Sequence, residues 1–151
     1  MSKTEMAADS DRAHGRLSSD AYAITKQTDL SLEQATERVR SELQSAGFGV
    51  LCEIDVAATL KGKLGIERDP YVILGACNPS LAHRAMEAEP ELGVLLPCNV
   101  VVYEHEGRTH IAAVNAERML SIVGNKQLAP IAEEVRERLA AVVQRAAESS
   151  G

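Results

Sequence analysis

The chain has 151 residues, 45% of them apolar, a net charge of −6 and three cysteines. That length and apolar content suit one domain with a real core and exclude disorder throughout. With no long basic run and only three tyrosines and one phenylalanine to stack on bases, nucleic-acid binding is disfavoured, and an odd, irregularly spaced cysteine set is not a secreted disulfide framework.

Residues 1–18, MSKTEMAADSDRAHGRLS, carry acidic groups and no apolar h-region, so they do not read as a signal peptide, and no later run reaches the length of a membrane span. The expectation is a soluble, cytoplasmic protein with no membrane partner, with a loose tail over 1–18 and a single domain over 19–147. AYAITKQT, residues 21–28, alternates weakly and predicts a first strand. Ser31 and Gln34 form a capping box, after which Leu32, Ala35, Val39, Leu43 and Ala46 recur at helical spacing until Gly47. FGVLCEI then has period two, which sets Phe48, Val50, Cys52 and Ile54 on one face, directed at the core, with Cys52 as buried filler.

Asp55 caps a short helix through Leu64, stopped by Gly65, and PYVILGAC reads as an apolar strand ending at Cys77. Asn78 and Pro79 open the next helix, which buries Leu81, Ala82, Ala85 and Met86 and halts before Pro90. VLLPCNVVVYE, residues 94–104, is the most β-rich segment, and Glu106-Gly107 turns it into RTHIAAV. Pro97 cannot donate to a ladder, so it belongs at an edge, a bulge or a change of direction. Asn115 caps a short helix with Met119, Leu120, Ile122 and Val123, and Pro130 starts a last helix with the stripe Ile131, Val135, Leu139 and Val142. Hairpin-joined strands with a long terminal helix predict an α+β layer rather than a doubly wound sheet.

Several segments together, AGFGVLCEIDVAATLKGKLG, YVILGACNP, AHRAMEAEPELGVLLPCNVVVYE and IAEEVRERL, resemble the bacterial and archaeal family catalogued as domain of unknown function 302. The resemblance runs from about residue 21 to 143, and the Cys-Asn-Pro and Leu-Pro-Cys-Asn steps carry it most specifically. It implies an α+β fold of the TATA-binding-protein-like class, with a curved antiparallel sheet on a long C-terminal helix, and a homodimer. It brings no established reaction. A related DNA-binding saddle would need basic residues and intercalating aromatics on its sheet, whereas these strands offer Glu53, Glu104, His105 and His110.

Cys77 is the foremost candidate for chemistry, because the helix start after it favours a thiolate, a persulfide or a metal-bound sulfur. Its alternative is a small residue filling a strand end. Cys98 lies one strand-helix-strand excursion away, and the two thiols would form a dithiol if the register brings them together. Asn78, His83 and Asn99 complete the candidate ligand-binding set. Asn78 is already explained by capping, and His83 lies toward the polar side of its helix. His105 and His110, with Glu104, flank the hairpin; with Cys77, Cys98 and His83 they are weak metal candidates, since no CxxC or HExxH spacing exists. No GxSxG, P-loop or GxGxxG pattern is present, and no cofactor is identified.

The preferred reading is a non-enzymatic, homodimeric binding module for a small ligand or soft metal near Cys77 and Cys98. One alternative is a thiol-based sulfur-carrier or redox protein using Cys77 with Cys98. The other is an oligomerising scaffold without chemistry.

Overall fold

The computed structural model describes residues 21–148, so the tail expected over 1–18 lies outside the described residues. Among the described residues, five α-helices, two 3₁₀ turns and five strands form where local signals dictate. Strand β1 covers Ala23–Thr28. Helix α1, Leu32–Ser45, starts at a reciprocal capping box in which the Gln34 amide donates to Ser31 Oγ and the Ser31 amide to Gln34 Oε1, each at 3.1 Å. It buries Ala35, Val39 and Leu43 and gives way to Gly47, whose φ of 86° only glycine adopts without strain.

Strand β2, Gly49–Asp55, leads into α2, Val56–Leu64, where Asp55 Oδ1 accepts from the Ala58 amide at 2.9 Å. Strand β3 is Tyr71–Cys77, α3 is Pro79–Ala88, and a 3₁₀ turn follows at Pro90–Leu95. Strands β4, Cys98–His105, and β5, Arg108–Val114, form a hairpin whose two turn residues, Glu106 and Gly107, both have positive φ, the pairing that a two-residue turn favours. Helix α4, Ala116–Ser121, is capped by Asn115, whose side-chain amide also donates to the Ala21 carbonyl at 2.9 Å and so ties down the approach to β1. Helix α5, Ala129–Ala147, closes the fold.

The strands form one open antiparallel sheet in the order β1-β5-β4-β3-β2. Helices α1 and α5 pack on each other and on one face of it. Leu74, Val100, Val102 and Ile111 from that face meet Val39, Leu43, Leu139 and Val143 from the helices in one core, every one of them fully buried. This is the α+β layer that the element order predicts, with the long terminal helix against the sheet. No helix among the described residues is long and apolar enough to cross a membrane.

The other sheet face is read directly from the register. Its first row across the strands is Ala23, Val114, Asn99, Gly75 and Cys52; its second is Thr25, Ala112, Val101, Ile73 and Ile54; its third is Gln27, His110, Tyr103 and Tyr71. The expectation that Cys52 and Ile54 face the core is corrected here. The β2 register slips between Val50 and Cys52, so Val50 stays opposite core-facing Ala76 while Cys52 comes opposite Gly75. One extra residue in the strand inverts every side chain after it. Cys52 is exposed and Ile54 is 44% exposed. Three smaller corrections follow from element ends. Met86 and Ile122 are exposed, because α3 buries only the Leu81 and Ala85 stripe and α4 stops before Ile122. Residues 94–97 are not strand: the ladder begins at Cys98, immediately after the residue that has no N–H to give.

Candidate functional site

The Cys-Asn-Pro step stands where β3 hands over to α3. Asn78 takes an extended conformation, φ −97° and ψ 106°, and its Oδ1 accepts from the Leu81 amide at 3.1 Å. Its side-chain nitrogen lies beside Gly47: a Cβ built there would come within 3.2 Å of Asn78 Nδ2 and 3.3 Å of Arg138 Nη1. Capping and packing therefore both hold Asn78, which is buried. With Pro79 in the first turn, the backbone leaves Cys77 half-buried at the mouth of the junction.

Beside it, the Leu96–Pro97 peptide is cis and Cys98 begins β4 directly opposite Ala76. Cys77 and Cys98 line one small cleft of about 30 Å³, whose walls are Phe48, Leu81, Leu92 and Pro97 and whose floor is Ile131 and Val135 of α5. The lining is almost wholly apolar, which fits a space that excludes water unless polar partners hold it. Burial pushes the Cys98 thiol up to about 11, and nearby Cys77 pushes in the same direction. Cys77 is half-buried and Cys98 buried, and both border the cleft.

Gly75 shows how tightly the other side of this junction is built. A Cβ at Gly75 would stand 2.7 Å from Cys52 Sγ and 2.9 Å from Pro97 Cγ, so only glycine lets β2 and the residue before β4 close over β3. The third thiol is therefore across the sheet from the cleft, on its uncovered face.

The remaining candidates fall elsewhere. His83 is exposed on α3 and does not line the cleft. Asn99 is exposed and alternates away from Cys98 onto the uncovered face. His105 and His110 share that face, ring centroids 6.3 Å apart, but at the hairpin end of β4, the opposite end from Cys98. Among the described residues no group of three or more His, Cys, Asp or Glu side chains is placed to hold a metal ion. A soft ion at the cleft would therefore rest on the two thiols alone.

Two features were not anticipated from the sequence. The Ile131 and Val135 stripe reads as ordinary core, yet it also floors the cleft. A larger hollow of about 410 Å³ opens between α4 and the start of α5, lined by Glu117, Ser121, Asn125, Lys126 and Glu133 over Leu120, Leu128 and Ala132. It holds no cysteine or histidine, and Glu117 is already engaged by Arg136 Nε at 2.7 Å. Size alone does not make it the better site; the cleft is where thiol chemistry and an apolar enclosure coincide.

Among known proteins, no curated protein matches the chain. A solved structure does: the crystal structure of an uncharacterized conserved protein DUF302 from Bacillus stearothermophilus, 32% identical, with a TM-score of 0.79, covering 83% of this chain and 98% of that one. A model of the family described as domain of unknown function DUF302 matches residues 24–146, a span that includes both cysteines of the cleft and every strand but the first residue of β1. The chain belongs to the DUF302 family.

Proposed function

We propose that this protein is a binding module for a soft, sulfur-seeking ligand, in the first instance a soft metal ion, held between Cys77 and Cys98. The single observation that carries this reading is the shared cleft: two thiols at one apolar enclosure, one half-exposed for entry and one buried. Volume selects among ligands. About 30 Å³ has room for roughly one or two water-sized atoms, which suits a single ion better than an organic molecule. Thiolates favour soft ions, and two of them suffice for a monovalent one.

The pKa of Cys98 weighs against the thiol-redox alternative. A thiol at about 11 is ionised in only about one molecule in 10⁴ at neutral pH, so it is a poor attacking or resolving group. A metal ion displaces that proton on binding, and its affinity then rises with pH.

The test is native mass spectrometry with one equivalent of silver(I) in a Cys52→Ser background, which removes the exposed competing thiol. One ion per chain is expected, lost in both Cys77→Ser and Cys98→Ser. Retention of the ion in either variant, or no retention in the background protein, overturns the reading.

A further inference from the structure

We propose that the hollow between α4 and the start of α5 is a binding site for a small aliphatic zwitterion, of the class of a free amino acid with an apolar side chain. It uses neither thiol of the cleft, so it stands or falls separately from the metal reading. The hollow has a volume of about 410 Å³, within the range of about 300–1,000 Å³ usual for small-ligand sites. Its floor is aliphatic. Leu120 of α4, Leu128 of the 3₁₀ turn Lys126–Leu128 and Ala132 of α5 meet there, all three buried.

The wall that faces α4 is braced from outside the hollow. Asn125 Nδ2 donates to the Ala88 carbonyl at 3.0 Å and to Glu89 Oε1 at 3.2 Å, while its Oδ1 accepts from the Gln127 amide at 2.9 Å. Gly124, with φ 75°, supplies the left-handed step that carries the chain from α4 into this turn. The turn is thereby anchored to the end of α3 and stands off from α4, leaving the space between them open. A wall fixed in advance spares a ligand the cost of ordering it.

Charge selects the class of ligand. Glu117 is taken by Arg136 Nε at 2.7 Å, and the Arg136 guanidinium, held protonated chiefly by that bond, also feels Glu133. Lys126 and Glu133 both line the hollow and are exposed, yet among the described residues neither forms an ion pair. The lining therefore offers one cation and one carboxylate that the space between them keeps from pairing. A ligand of one sign gains one of them and is opposed by the other, whereas a ligand carrying both signs gains both. Ser121 Oγ gives its proton to the Arg118 carbonyl at 2.7 Å, so toward a ligand it can only accept, as an ammonium requires. An aliphatic amino acid meets all of these: its carboxylate answers Lys126, its ammonium Glu133 and Ser121, and its side chain the floor.

The probe is L-leucine, titrated into the full chain at low salt while the protein's leucine methyls are followed by NMR. Shifts of the Leu120 and Leu128 methyls are expected to saturate with a dissociation constant of about 1 mM, as suits contacts made by exposed charges. Isovalerate and isoamylamine, which each keep one of the two charges, are expected to bind about threefold more weakly or worse. Lys126→Ala and Glu133→Gln are each expected to weaken leucine by about the same factor, and Ala129→Trp, at an exposed position of the lining, to abolish binding by filling the hollow. Lys63→Ala, at an exposed position of α2, leaves the affinity unchanged. Circular dichroism verifies that each variant folds. Silver(I) retention, read on the same variants, is expected to be unchanged, which keeps failure of this site distinct from failure of the cleft. The proposal is overturned by the absence of a saturable shift, by isovalerate or isoamylamine binding as tightly as leucine, or by a leucine affinity that Lys126→Ala and Glu133→Gln both leave unmoved.

Discussion

The two faces of this sheet use the same strands to opposite ends. Toward the helices, alternate residues such as Leu74, Val100 and Ile111 are completely buried. Away from them, Ile73, Val101 and Tyr103 are only half-covered by their neighbours. Cysteine reveals the contrast best: Cys98 is enclosed with the core-facing set and Cys52 is exposed with the other. Stability resides on the first face, and the second is left for whatever the surface must meet.

The sharpest way to break that comparison is to delete equal bulk from each side. Leu139→Ala, at a fully buried position of α5, is expected to cost about 2–5 kcal/mol in denaturant unfolding, the range for large-to-small core changes. Ile73→Ala on the uncovered face should cost less than about 1 kcal/mol when measured on dilute protein. Equal costs would mean the faces are not energetically distinct.

Next in size is a pH effect confined to the enclosed thiol. In the unfolded chain the Cys98 thiol titrates near 9, and in the folded protein near 11. Between those values the native state keeps a proton that the unfolded state has lost. The contribution is therefore fully present below pH 9 and is lost as pH rises toward 11, by roughly 2–3 kcal/mol. Unfolding free energy across that window, compared with Cys98→Ala, should show the wild type falling more steeply; parallel curves would place the thiol in solvent.

The smallest of the three effects sharpens the boundary between the faces. Gly75→Ala presses a methyl group onto Cys52 Sγ and Pro97 Cγ, with an expected cost of about 1–3 kcal/mol. Cys52→Ala in the same protein should recover about 0.5 kcal/mol or more of it, read as the coupling in a double-mutant cycle. Strict additivity would separate the two residues.

Much of this architecture is legible in the sequence because its punctuation is local. Ser31, Asp55, Asn78 and Asn115 each accept from an amide of the helix they open, and Gly47, Gly65 and Gly107 all take positive φ where turns were expected. Such signals act within a few residues of their origin. What failed was set by pairing between strands. The slip after Val50 that turns Cys52 outward depends on how β2 meets β3, and no residue in GVLCEID announces it. The same holds for the site. Cys77 at a strand-to-helix step is readable from Asn78-Pro79, but the cleft it shares with Cys98 requires the Ala76–Cys98 pairing and the floor supplied by α5, more than thirty residues further on. His83 and the hairpin histidines were plausible by composition and lie apart from the cleft because helix phase and strand direction carry them away.

The most direct measurement of the central claim is the number of sulfur neighbours around silver(I) bound to the Cys52→Ser protein, counted by X-ray absorption. Two sulfurs at the ion are predicted, from Cys77 and Cys98 across the cleft. A single sulfur, or a shell of nitrogen and oxygen, would contradict it and leave the two cysteines as neighbours without a common ligand.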